Sequence, residues 1–236
     1  MVIAKRSVSL SKTFLIVGIF LGLLSVLISS LSDLIKYIGT TATPANAAGT
    51  GGFDLAAALP LVSVALQVFA AITFATPVLL LYVYDKNNGV LEYFLSLGMN
   101  QGDIYRQYLK AALMLSSSLV GLEVVANVVA GLMVGKTGLL ILEVSGLVVA
   151  LALPVVSFST LIMMSFSSLQ KQRVGANQPL GMAIGIFIVM PAYIVPFVVP
   201  SLAIAIDLLL AAVVAALSLL MYLSASRLIS REKLLP

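Results

Sequence analysis

Long uncharged runs recur along this chain, and each is long enough to cross a lipid bilayer. From Thr13 to Leu31, and again from Pro60 to Tyr84, there is no Asp, Glu, Lys or Arg. Between Leu180 and Leu223 the one charged residue is Asp207. A hydrocarbon core about 30 Å thick asks for about 20 apolar residues at 1.5 Å each. Composition agrees: 61% of the residues are hydrophobic and 9% charged, where soluble domains carry about 25% charged. Thirteen basic and nine acidic side chains cannot cover 236 residues with a water-soluble surface. A soluble globular enzyme is excluded, and an all-α integral membrane protein is expected.

The runs predict six transmembrane helices, at 13–31, 60–84, 109–134, 139–169, 180–199 and 202–223, forming a single transmembrane domain over 1–236. The first run is followed by Ala45-Asn46-Ala47, which resembles a small-residue cleavage site. It is longer than a secretory apolar region, so a retained span is expected. Residues 32–59, rich in Gly, Ala and Thr, read as an outer loop with a short amphipathic piece around Asp33 to Tyr37. Gly135 to Gly138 reads as a tight turn. Pro191, Pro196 and Pro200 interrupt the last apolar stretch and place a turn, or a short re-entrant piece, near 191–201.

Lys and Arg orient such a bundle, because basic loops stay in the cytosol. With the N-terminus inside, 11 of the 13 basic residues fall on the inner side, leaving Lys36 and Lys136 outside. Both termini are therefore expected in the cytosol, and a multi-pass protein of the plasma membrane is expected. The net charge of +4 is dispersed between apolar runs, so no nucleic-acid partner is expected.

Cys and His are both absent. That removes disulfides, thiolate and imidazole metal sites, haem ligation and His-based general bases. No metal site and no catalytic residue are expected. Gly131 to Thr137 looks like a phosphate-binding loop, but it is one residue short between its glycines and follows no strand.

The segment 85–108 is too polar to span and too apolar for a plain linker. Val90, Leu91, Phe94, Leu95 and Met99 share one helical face, with Asn88, Glu92 and Ser96 on another. This pattern predicts a short amphipathic helix at the membrane surface. Gly98, Asn100 and Gly102 would end it, and Asp103 would cap the helix entering the third span. A passive elbow between two spans is the plain reading.

The run DKNNGVLEYFLSLG at 85–98 resembles the coupling helix of permeases of type-2 ABC transporters. That family carries a charged cluster, Gly-Thr-Leu-Glu, two or three apolar residues, then Ser and Pro. Gly89, Leu91, Glu92, Phe94, Leu95 and Ser96 match it. Val90 stands for the usual Thr, Gly98 for the common Pro, and Asn87-Asn88 for a charged pair; the Gly-Lys expected at the head of the third span is missing. Six spans and a basic tail are similar to the family too.

The resemblance implies two ABC ATP-binding subunits docked on the 88–97 helix, Asn88 included, holding the ATP and Mg this chain lacks. It also implies a second permease copy or paralogue, and export of a hydrophobic or amphipathic substrate. Hydrolysis would belong to the partner, since the longest segment outside the expected spans is 28 residues (32–59). For Glu92 the alternative is a solvated helix charge.

Acidic and amide side chains at bilayer depth are the other candidates. Glu123, with Asn127 one turn on and Ser116 two turns back, forms a polar stripe in the third span, and Gln67 with Ser63 another in the second. They predict contacts in a translocation path, or, alternatively, hydrogen bonds between helices. Glu143 and Asp207 are expected near outer helix ends within reach of water. Two rival functions follow: a non-transporting membrane anchor or assembly subunit, and a secondary transporter driven by protons through Glu123.

Overall fold

A computed structural model describes residues 2–42, 55–165, 186–191, 194–195 and 198–228, and every regular element among them is helical. The helices are α1 (Val2–Leu10), α2 (Lys12–Ala42), α3 (Leu55–Asn87), α4 (Val90–Ser96), α5 (Gln101–Val134), α6 (Gly138–Ser165) and α7 (Pro200–Leu228). Five carry a stretch long and apolar enough to cross a membrane: Lys12–Ser30, Pro60–Asn87, Gln101–Val134, Gly138–Ser165 and Ile204–Ser224. A multi-pass membrane protein is the fold.

α3 is the axis of the bundle. Of its most apolar window 78% is buried, against 22% to 44% for the other four. Val64, Val68, Ala71, Ile72, Ala75 and Val78 lie in the core with Leu147, Leu151, Val155 and Val156 of α6. Small residues along α3 allow its neighbours to approach closely, which is how helices pack where lipid offers no hydrophobic drive. The lipid-facing sides of α2, α5 and α7 expose Leu, Val, Ile and Phe, such as Phe20, Leu132 and Leu209.

Helix ends differ from the sequence expectation because backbone hydrogen bonding continues past the hydrocarbon edge. α2 runs through 32–42 and α3 starts at Leu55, so the expected outer loop is helical at both ends and the piece around Asp33 to Tyr37 is part of α2. Likewise α3 continues to Asn87 and α5 starts at Gln101, which shortens the inner segment to 88–100. The N-cap of α5 is Asn100, whose side chain accepts from the Gly102 amide at 3.3 Å; Asp103 lies in the first turn instead. There it favours the positive helix end. α1 was not expected at all, since its nine residues show no span-like run. Asp207 lies two turns inside α7, fully buried, and not at its start. The 170–179 loop, the 180–185 start of the fifth expected span and the 229–236 tail lie outside the described residues.

Gly135 closes α5 with φ 74°, and the Lys136 amide donates to the Gly131 carbonyl at 2.8 Å. This left-handed cap needs glycine and turns the chain into α6 within three residues. Lys136 then donates to the carbonyl and hydroxyl of Ser29, both at 3.1 Å, tying the turn to α2. At the opposite end, Arg6 of α1 pairs with Asp85 of α3, and Arg106 of α5 sits 5.7 Å from the Tyr222 ring of α7. The ends of α6 and α7 share that side, because Leu161 and Tyr222 line one small cavity with Gly102 and Arg106. α6 and α7 are therefore parallel.

Candidate functional site

α4 is bracketed by two left-handed glycines, Gly89 at φ 70° and Gly98 at φ 81°. At its start the Asn88 amide still donates to the Tyr84 carbonyl of α3, and the Tyr93 amide donates to the Gly89 carbonyl. At its end the Gly98 and Met99 amides donate to the Leu95 and Phe94 carbonyls, a double-bonded helix stop that requires glycine. Two residues thus join α4 to α3, and four join it to α5. Such short connections make α4 a rigid extension of both helices.

The two faces of α4 separate as the sequence pattern expects. Leu91 is fully buried, and Phe94, Leu95 and Met99 pack on the core. Glu92 and Ser96 are exposed, with Asn87 and Asn88 beside them. Ser96 donates to its own helix, at the Tyr93 carbonyl. The outward face also carries two large apolar side chains that the polar/apolar pattern missed, Tyr93 at 61% and Leu97 at 62% exposure. Of the expected partner-facing residues, Leu91 points inward and holds α4 to the bundle.

Behind α4 lies a polar and aromatic anchor that sequence reasoning also missed. Asp85 is fully buried; Arg6 reaches it with two guanidinium nitrogens at 2.9 and 3.4 Å, and the Tyr108 hydroxyl donates to it at 2.6 Å. Charge-assisted pairing of this kind satisfies a carboxylate that burial alone would penalise. Tyr82 stacks edge-on against Tyr108 at 5.3 Å and Tyr105 at 6.4 Å. The Tyr105 hydroxyl meets Ser165 at 2.9 Å, and that of Tyr82 donates to the Met164 carbonyl at 3.4 Å. One cluster therefore binds α1, α3, α5 and α6 at the ends of α3 and α5 that α4 connects. Its signal was present as paired i, i+3 spacings, Tyr82 with Asp85 and Tyr105 with Tyr108.

At bilayer depth the expected stripes meet across two helices. Gln67 of α3 and Asn127 of α5 exchange amide hydrogen bonds of 3.2 and 2.9 Å. Ser116 donates to Ala112 in its own helix and reaches the Ala71 carbonyl of α3 at 3.3 Å. Ser63 donates locally, to the Pro60 carbonyl, and stays out of the pair. Glu123 faces a third helix. A β-carbon at Gly22 of α2 would lie 2.6 Å from its Oε1, so glycine is what admits the carboxyl there. Both carboxyl oxygens of Glu123 are buried without a hydrogen-bond partner among the described residues, as are those of Asp207.

Chemically, the loop end offers a solvent-facing helix joined directly to α3 and α5, and the interior offers two buried carboxyls, Glu123 and Asp207, with no partner among the described residues, the first one turn from a satisfied amide pair. Comparison with protein-family models, curated proteins and solved structures returned no match to this chain.

Proposed function

We propose that this chain is the membrane subunit of an ATP-driven transporter of the type-2 ABC kind, with α4 as its coupling helix. ATP and Mg would sit in separate ATP-binding subunits, and a second copy or paralogue would complete the path for a hydrophobic or amphipathic cargo moving outward. A plasma-membrane location with both termini in the cytosol accompanies this reading. The observation that carries it is the build of α4. A partner pushing on the exposed Glu92, Tyr93 and Leu97 face would move α3 and α5 as rigid bodies. The anchor at Asp85 would pass that shift to α1 and α6, as docked elements do in switching assemblies.

Six spans are supported by direction. α6 and α7 run the same way, so the chain between Ser165 and Pro200 has one more crossing to make. Ile186, Val189 and Met190 line a cavity with Ala65, Leu66 and Phe69 in the first half of α3, far from the end where α6 stops.

The test is to purify the protein with candidate ABC ATP-binding subunits from the same genome and substitute Glu92→Ala and Tyr93→Ala together. The expected result is loss of most of the complex and of the transport-coupled ATPase stimulation, with an unchanged melting temperature. Unchanged complex and stimulation would refute the coupling role. A second reading, proton coupling, is favoured by Glu123, whose buried carboxyl has no hydrogen-bond partner among the described residues. Comparing uptake or efflux by Glu123→Gln across pH decides it; an unaltered profile at full rate removes Glu123 from transport.

A further inference from the structure

We infer that the cleft between α5, α6 and α7 is a binding site for an anionic phospholipid. It encloses about 910 Å³ and is lined from Met99 and Asp103 at the α4 end to Ser117. From Asp103 to Ser117 the helix rises by 14 residue steps, about 21 Å. One leaflet contributes about 15 Å of hydrocarbon, so the cleft reaches from headgroup level into acyl depth.

Its chemistry changes along that length. Arg106, Lys110 and Tyr222 stand at the mouth, while Leu113, Leu153 and Leu219 wall the deeper part. α5 has 34 residues, about 51 Å, far more than the bilayer core needs. Its first turns, with Arg106 and Lys110, therefore project to the headgroup layer, and uncharged residues begin at Ala111. Tyr222 under the Arg106 guanidinium, at 5.7 Å, is the aromatic expected at that level. Basic clefts between helices on the cytosolic side favour anionic headgroups.

Asp103 does not cancel the mouth. It holds Arg106 at 3.4 Å through an exposed i, i+3 pair, a contact that contributes little in water. Lys110, one turn deeper, is exposed and makes no hydrogen bond or ion pair among the described residues. Deeper in, the Ser218 hydroxyl donates at 3.1 Å to the carbonyl of Pro154, a mid-helix proline. Ser117 likewise donates to the Leu113 carbonyl of its own helix, so these two wall hydroxyls are satisfied and Leu113, Leu153 and Leu219 give the wall its apolar surface.

Charge selects the lipid over the other occupants. The chain's own segments beyond α6 and α7 are net basic: Lys171 and Arg173 with no acidic residue in the first, and Glu232 flanked by Arg231 and Lys233 in the second; their net charge opposes a basic mouth. A second copy packed side by side in the same orientation would bring the same basic end. An anionic lipid supplies both the missing charge and an acyl chain. This inference needs only the membrane setting and stands apart from the transport reading.

The full-length protein in phosphatidylcholine vesicles, probed with spin-labelled phosphatidylglycerol and phosphatidylcholine, tests it. The expected result is a preference of about fivefold for the anionic label, the effect of roughly one net basic side chain. R106Q/K110Q, which leaves Asp103 in place, should bring the preference to one or below, and K110Q alone, at an exposed position, should lower it if the pair fails to express. Leu219→Trp, which fills the cleft and leaves the cations, should release both labels. Equal retention of the two labels by the wild-type protein would overturn the proposal, as would a preference that survives R106Q/K110Q. Loss of the preference in saturating inorganic phosphate would assign the mouth to a free anion, and loss of both labels as copies associate would assign the cleft to a second copy; either overturns it.

Discussion

Glu123 and Gly22 meet where α2 crosses α5, and the contact has a sharp energetic consequence. A buried carboxyl with no hydrogen-bond partner among the described residues is a liability inside a bundle, and glycine opposite it is the accommodation. Gly22→Ala forces the Glu123 side chain to move, because its Cδ and Cγ as well as Oε1 lie within 3.3 Å of the new carbon. The expected cost is about 1–3 kcal/mol, typical of overpacking. In a Glu123→Ala background the same substitution should cost almost nothing. Thermal unfolding of the four variants in detergent measures that coupling; additive effects would mean the two residues do not share the site. The amide pair behaves differently, since both partners are satisfied. Gln67→Ala and Asn127→Ala should each destabilise, and the double variant should lose less than their sum, with a coupling of about 0.6 kcal/mol, the usual strength of interhelical hydrogen bonds in membranes.

At the scale of an element, substitution separates the packing of α4 from the docking role proposed for it. Leu91 is buried, so Leu91→Ala should destabilise by about 2–4 kcal/mol. Gly89→Ala places a side chain in the left-handed region and should cost about 1–2 kcal/mol. Tyr93→Ala and Leu97→Ala, on the exposed face, should leave the melting temperature unchanged within error and act only on partner binding. If Tyr93→Ala lowers the melting temperature by several degrees, the face is internal to the assembly of this chain and not a docking surface.

The amphipathic pattern of α4 was legible because the inward residues recur at helical spacing within seven residues. The anchor behind it was not, because Arg6 and Asp85 stand 79 positions apart and no local pattern links them. The same distance hid α1: nothing in nine mixed residues says that Arg6 will find a buried carboxylate. Helix ends were misjudged for a related reason. Hydropathy marks where lipid begins, whereas the backbone ladder runs on through polar residues such as Asp85 and Asp103. Within the bundle, Gln67, Ser116, Glu123 and Asn127 were visible as polar groups at bilayer depth, but which helix each would face depended on packing. Glu123 turning to α2, away from the Gln67–Asn127 pair, is the clearest case.

For the whole molecule, hydropathy carries the multi-pass helical architecture, and the absence of cysteine makes the orientation expected from Lys and Arg directly testable. Arg6, Asp85, Arg106 and Tyr222 gather at one end, while the Lys136 turn and Ser29 lie at the other. Single cysteines placed at Ser9, Asn100 and Ser224 should therefore share one accessibility, and one at Thr137 should have the opposite. With the basic end in the cytosol, a membrane-impermeant maleimide added to intact cells should label Thr137→Cys alone, and the other three only after permeabilisation. Ser224→Cys is the decisive position. Alternating from α6, a chain that does not cross the membrane between Ser165 and Pro200 would place Ser224 outside with Thr137, whereas one crossing there returns it to the side of Ser9. Labelling of Ser224→Cys in intact cells would leave five spans and separate Tyr222 from Arg106; protection until permeabilisation would fix six and keep the α5–α7 cleft at the cytosolic headgroup layer.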